Sequence, residues 1–91
     1  MNGRTMYYTY VFLSERDNNL YTGFTKDLKS RLGKHNDGLV ASTSRRRPLR
    51  LIYYEACLNE NDAITREKYL KSGFGRRFLN NRLKNYLKEI P

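Results

Sequence analysis

Tryptophan is absent from these 91 residues, cysteine and histidine occur once each, and proline occurs twice. The lone Cys57 can form no internal disulfide and no zinc cluster, which excludes a disulfide-stapled scaffold and a zinc finger. No run approaches the roughly 20 apolar residues of a spanning helix. The N-terminus carries no apolar stretch of the signal-peptide kind, so a cytoplasmic location is expected. Acidic residues are scarce as well: nine stand against eighteen Lys and Arg, giving a net charge of +9 and a pI near 9.9. That excess calls for a polyanionic partner. A membrane surface would need a basic segment with a wide apolar face or a lipidation motif, and neither is visible. Nucleic acid is the expected partner.

What is present is enough for one packed domain. Hydrophobic residues make up 38% and charged residues 30% of the chain, too apolar a mixture for disorder. At this length folding removes only about 60–65% of the unfolded surface, so a single modest core is expected, with one domain spanning residues 1–91.

Residues 6–13 are β-branched and aromatic, as are Leu20 to Phe24, and the turn-rich Glu15-Arg16-Asp17-Asn18-Asn19 lies between them. This predicts a β-hairpin that sets Tyr10 and Tyr21 on adjacent strands. Thr25 is a candidate N-cap for a helix over about residues 26–37, with Leu28, Leu32 and His35 at helical spacing and Gly38 as the stop. Residues 39–50 lack periodicity and read as a basic loop, and Leu51 to Glu55 reads as a third strand. Asn59 can cap a helix over about 60–72 that ends at Gly73. A last helix over about 76–89 carries the stripe Leu79, Leu83, Tyr86 and Ile90. The order is β-β-α-β-α-α, an α+β class.

Several residues stand out against this frame. Glu67 projects near the middle of the face defined by Ala63, Ile64 and Leu70. It either pairs with Lys71 one turn on or meets a cation, a metal or a solvated cleft, because an unpaired buried carboxylate costs several kcal/mol. Arg31 and His35 fall on adjacent turns beside the apolar stripe of the first helix. For Arg31 the alternatives are a solvated face shared with Lys26, Lys29 and Lys34, or a guanidinium fork on a phosphate. A structural, hydrogen-bonded His35 is at least as natural as a catalytic one. Among the eight tyrosines, Tyr7, Tyr8, Tyr53 and Tyr54 read as half-buried strand aromatics.

Tyr8-Thr9-Tyr10 and Tyr21-Thr22-Gly23, with eleven positions from Tyr10 to Tyr21 and ten from Tyr21 to Arg31, resemble the signature of the GIY-YIG endonuclease superfamily. The resemblance covers about residues 7–83. His35-Asn36-Asp37-Gly38, Arg46-Arg47-Pro48 and Arg66-Glu67-Lys68 are similar to its small stand-alone bacterial branch, related to the nuclease domain of the excision-repair incision subunit. Tyr8 stands where the family name has Gly, and Thr9 and Thr22 stand at both Ile positions, which pack the sheet.

The resemblance implies a three-stranded antiparallel sheet flanked by helices and a DNA endonuclease active in repair or processing, with little intrinsic sequence specificity. It also implies one divalent ion, Mg²⁺ or Mn²⁺, on Glu67. Tyr10 would accept a proton from the attacking water, which requires surrounding positive charge to favour its phenolate. Tyr21 would orient water or phosphate, Arg31 would neutralise the scissile phosphate, and His35 would assist by a hydrogen bond. DNA backbone contacts are expected from the Arg45, Arg46 and Arg47 loop and from Lys26, Lys29 and Lys34. Asn80 and Asn81 are candidates for an Asn that the family carries late in the domain; Asn81 is taken as the substrate contact, although helical phase sets it opposite the Leu79, Leu83 and Tyr86 stripe. A repair or targeting protein is a further expected partner. The alternatives are a non-catalytic nucleic-acid-binding module of the same fold and a basic protein-interaction domain.

Overall fold

In the computed structural model, which describes residues 5–90, the hairpin places β1 at the centre of the molecule. The strands are β1 (Tyr7–Ser14), β2 (Leu20–Thr25) and β3 (Leu49–Cys57), and the helices are α1 (Leu28–Asn36), α2 (Glu60–Lys71), α3 (Gly73–Arg82) and α4 (Lys84–Lys88). The sheet order is β2-β1-β3, with both pairings antiparallel. Residues 1–4 and 91 of the expected domain lie outside the described residues.

Period-two alternation along β1 divides the apolar material into two clusters. Tyr10 and Phe12 face α1, where they pack with Leu49 against Tyr21, Leu28, Leu32 and Leu51. Val11 points to the other face and packs with Leu70 and Leu79, from α2 and α3. The sheet is therefore covered on both sides, and β1 is buried from Thr9 to Ser14. Between Val11–Tyr53 and Phe12–Leu51 the register slips by one, so Ile52 is an extra residue on β3. This bulge turns both Ile52 and Tyr53 toward the α3 cluster.

Three boundaries differ from the sequence expectation. The first helix begins at Leu28, capped by Asp27, whose side chain accepts from Ser30 N at 3.0 Å. Thr25 sits one step earlier, and its hydroxyl oxygen accepts from Asp27 N at 3.1 Å. The third strand is longer at both ends: Asn36 holds Leu49 at its start, accepting from its N–H at 2.9 Å and donating Nδ2–H to its carbonyl at 3.1 Å, and Tyr7 and Tyr8 pair with Cys57 and Ala56 at its end. The expected last helix starts earlier and is divided: Ser72 caps α3 by accepting from Gly75 N at 3.2 Å, and Leu83 (φ −110°, ψ 18°) separates α3 from α4. The cap at Asn59 forms as expected, on the N–H groups of Asn61 and Asp62.

Candidate active site

The hairpin brings Tyr10 and Tyr21 to the same face, but not opposite one another. Tyr10 pairs with Gly23, and Tyr21 pairs with Phe12. A Cβ at Gly23 would overlap the Tyr10 Oη and Cζ atoms, so the glycine of the second triplet is the slot through which the Tyr10 ring reaches the α1 side. Tyr10 is completely buried.

α1 supplies the groups that surround that phenol. Arg31 Nε donates to Tyr10 Oη at 3.3 Å, and His35 Nε2 lies 3.2 Å from the same oxygen. His35 Nδ1 lies 2.6 Å from Thr43 Oγ1, and Thr43 in turn donates to Val40 O at 3.5 Å. With the Thr43 proton on Val40, His35 Nδ1–H donates to Thr43 and Nε2 is the acceptor, so Tyr10 Oη–H donates to His35. Tyr21 flanks the imidazole at 5.2 Å between ring centroids, and its Oη accepts from Ser42 Oγ at 3.4 Å. Thr43 and Ser42 both come from the 39–48 loop, which therefore shapes the site from within. Neither residue stands out in the sequence, since a Ser-Thr-Ser run before three arginines reads as a polar linker.

The electrostatics follow from burial. His35 is pushed down to about 4, first by desolvation and then by the Arg31 charge, so its imidazole is neutral at pH 7. Arg31 is held above its ordinary value by the hydrogen bond to Tyr10, against partial burial. Tyr10 is raised: burial outweighs the hydrogen bond and charge of Arg31, while Tyr21 and Glu67 add to the increase. The protein's own cations therefore do not by themselves favour the phenolate. The resting group is a phenol whose proton points at a neutral imidazole.

The depressed His35 value carries a stability consequence. Between about pH 6.5 and 4 the unfolded chain binds a proton that the native state does not, so stability present above pH 6.5 falls as the pH drops toward 4. The full shift corresponds to up to about 3 kcal/mol. Denaturant unfolding at pH 7.5 and 4.5 checks this, and His35→Asn should show a shallower decline than the wild type.

Glu67 lies on α2, and its charge adds to the rise at Tyr10. Its Oε2 pairs with Lys71 Nζ at 2.9 Å, and its side chain is 21% exposed, so the expected i,i+4 partner is realised. Thr9 Oγ1 donates to Ala63 O at 2.9 Å and ties β1 to the helix that carries Glu67. The Thr at the first Ile position thus does more than pack the sheet. No group of three or more His, Cys, Asp and Glu side chains forms a metal cluster among the described residues. A lone carboxylate such as Glu67 does fit Mg²⁺, which keeps most of its waters and takes one or two carboxylates plus substrate oxygens.

The other expected substrate contacts separate. Lys26 and Lys34 line a depression of about 430 Å³ with Ser30 and Arg31, directly beside the cluster. Lys29 faces another depression, with Tyr8 and Tyr54. Of the loop arginines Arg45 is exposed. Arg47 is also exposed, with Nε to Ser44 O at 2.8 Å and Nη1 to Asn36 O at 3.4 Å, which lays its guanidinium over the end of α1. Arg46 pairs with Asp17 at 3.3 Å. Asn81 lies on the solvent side of α3, in a depression lined by Tyr69, Phe74, Arg77 and Phe78, apart from the Tyr10 cluster. Helical phase explains this, since Asn81 falls opposite the Leu79 stripe.

A hairpin carrying two facing tyrosines, a helix presenting Arg31 and a second helix presenting Glu67 define a nuclease-type domain. The chain belongs to the GIY-YIG family: the model of the GIY-YIG catalytic domain matches residues 6–85. It is similar to a UPF0213 protein of Pediococcus acidilactici, 43% identical over 68 residues that cover 71% of this chain and 68% of that protein. A UPF0213 protein of Clostridium perfringens is 42% identical over 67 residues, covering 72% and 71%. The solution NMR structure of a UPF0213 protein from Bacillus halodurans shares the fold, with a TM-score of 0.53 and 30% identity over 84% of this chain and 83% of that one.

Proposed function

We propose that this protein is a divalent-metal-dependent DNA endonuclease that hydrolyses phosphodiester bonds in DNA repair or processing. The observation that carries the reading is the Tyr10 phenol, held between Arg31 Nε at 3.3 Å and His35 Nε2 at 3.2 Å on the α1 side of the sheet. A purely structural tyrosine has no need of both a permanent cation and a neutral proton acceptor.

Arg31 covers Tyr10 Oη in the free protein. When its guanidinium engages a phosphate oxygen, the phenol is uncovered to the attacking water. As water transfers a proton to Tyr10 Oη, the phenolic proton passes to His35 Nε2, and Thr43 holds the imidazole in the accepting tautomer. No free phenolate is required, which agrees with the raised Tyr10 pKa. Tyr21, steadied by Ser42, orients the water or a second phosphate oxygen. Arg31 balances the charge that builds on the phosphorus oxygens. Glu67 would hold Mg²⁺ or Mn²⁺, one ion, which when bound supplies charge stabilisation for the departing 3′ oxygen. The products are a 5′ phosphate and a 3′ hydroxyl.

Lys26 and Lys34 beside Arg31 supply backbone contacts that carry no base information. With no reading module in the sequence, selection of the target falls to DNA structure or to a targeting protein. Tyr10→Phe tests the relay directly, because it removes one oxygen and leaves the ring in place. Single-turnover cleavage should fall about 10²- to 10³-fold with duplex affinity unchanged. Cleavage equal to wild type would remove Tyr10 from the mechanism.

A further inference from the structure

Arg76 is a cation whose partners do not balance its charge. It lies in the first turn of α3, where the helix dipole already disfavours positive charge and no acidic residue offsets it. Its Nη2 approaches Leu20 O at 3.5 Å, the same carbonyl that accepts from Arg46 Nη2 at 3.4 Å. Its Nη1 is buried and has no hydrogen-bond partner. Two guanidiniums thus converge on one backbone oxygen. The carboxylate at this junction, Asp17, binds Arg46 Nε at 3.3 Å. Burial and the neighbouring Arg46 both press the Arg76 guanidinium below its ordinary pKa.

The local backbone aims Arg76 at this point. Ser72 Oγ donates to Tyr69 O at 2.6 Å and accepts from Gly75 N at 3.2 Å, so the chain turns sharply from α2 into α3. Gly75 then lies flat against the end of α2. Arg46 arrives from the 39–48 loop, anchored by Ser14 Oγ donating to Arg46 O at 2.6 Å.

We infer that Arg46 and Arg76 form a phosphate site, holding a nucleic-acid backbone phosphate where the β1–β2 hairpin, the 39–48 loop and α3 meet. A phosphate supplies the missing negative charge and several acceptor oxygens, and the planar guanidinium forks match it. The site is separate from the scissile phosphate at Arg31, yet linked to it. Leu20 directly precedes Tyr21, and the loop that carries Arg46 also carries Ser42 and Thr43, which hold Tyr21 and His35. A phosphate bound here fixes the strand relative to the bond being cut and braces the loop that shapes the relay.

The inference rests on the nucleic-acid reading above, and its test is chosen to stand apart from cleavage. Duplex oligonucleotide binding is measured in chelator across a salt series, for wild type and Arg76→Leu. The slope of log affinity against log salt should fall by about 0.9, the loss of one phosphate contact, with affinity several-fold weaker. Arg46→Gln should give a similar loss, and the double variant little more than either alone, since both side chains serve one phosphate. An arginine with only a structural role would move the melting temperature and leave the slope alone, and that result overturns the inference. If Arg76→Leu fails to fold, Arg46→Gln decides the matter, because its side chain is 25% exposed. Wild-type protein that binds no duplex at low salt would sink both readings, whereas a reduced slope in protein that never cleaves would sink only the nuclease.

Discussion

Gly75→Ala should destabilise the protein by about 3 kcal/mol, enough to lower the melting temperature by roughly 12–24 °C. The added methyl would overlap Tyr69 O and Leu70 Cα, which are backbone atoms near the end of a helix and cannot rotate away. Relief would require α3 to shift away from α2, pulling Leu79 from its contact with Leu70 and Val11 in the second core cluster. The usual gain of about 1 kcal/mol for replacing a helical glycine with alanine is far too small to compensate. Thermal and urea melts followed by circular dichroism check this. A melting temperature within a few degrees of wild type would mean that the α2–α3 corner is looser than the structure describes.

Glu67→Ala should lower cleavage by about 10³-fold or more, equivalent to about 4 kcal/mol of transition-state stabilisation, while the fold and duplex affinity stay near wild type. The separation of effects is the informative part. In the free protein Glu67 contributes one surface pair with Lys71, at 2.9 Å, worth only a few tenths of a kcal/mol. Losing an acidic side chain cannot weaken attraction to a polyanion, so binding should hold or tighten slightly. Fluorescence anisotropy in chelator together with a thermal melt establishes both points. A variant that binds tenfold more weakly would make Glu67 a structural support and move the metal site elsewhere.

The hairpin, the first helix and the Asn59 cap were legible because each rests on local chemistry: β-branched and aromatic runs, a turn-rich interval, and side-chain caps. The order of Tyr10, Tyr21, Arg31 and Glu67 was legible from the resemblance, and the fold brings Tyr10, Tyr21, Arg31 and His35 together. What escaped the sequence depends on tertiary contact. Thr43 and Ser42 sit in a stretch without periodicity, and only the folded loop shows them gripping His35 and Tyr21. Nothing in the sequence marks Gly75, where only the fold shows the α2 backbone lying against it. The hydrogen bond from Arg47 to the end of α1 likewise appears only in the folded loop. Helical phase alone had already placed Asn81 on the wrong side of α3.

The same contrast applies to charge. A net charge of +9 predicts a polyanion partner but cannot say which cations are free to meet it. Arg46 and Arg66 are each engaged with a carboxylate, Arg66 at 2.9 Å from Glu55, whereas Arg31, Lys26 and Lys34 border one open depression. Asp27 and Glu60 line that depression too, so its charge is mixed.

Supercoiled-plasmid nicking at low salt, by wild type and Glu67→Ala side by side, each with Mg²⁺ and with chelator, tests the proposed activity most directly. Nicking by the wild type in Mg²⁺, and in none of the other three reactions, is the predicted result. Nicking that survives in Glu67→Ala or in chelator would contradict the assigned site, and tight plasmid binding with no nicking in any reaction would leave a nucleic-acid-binding module in place of an enzyme.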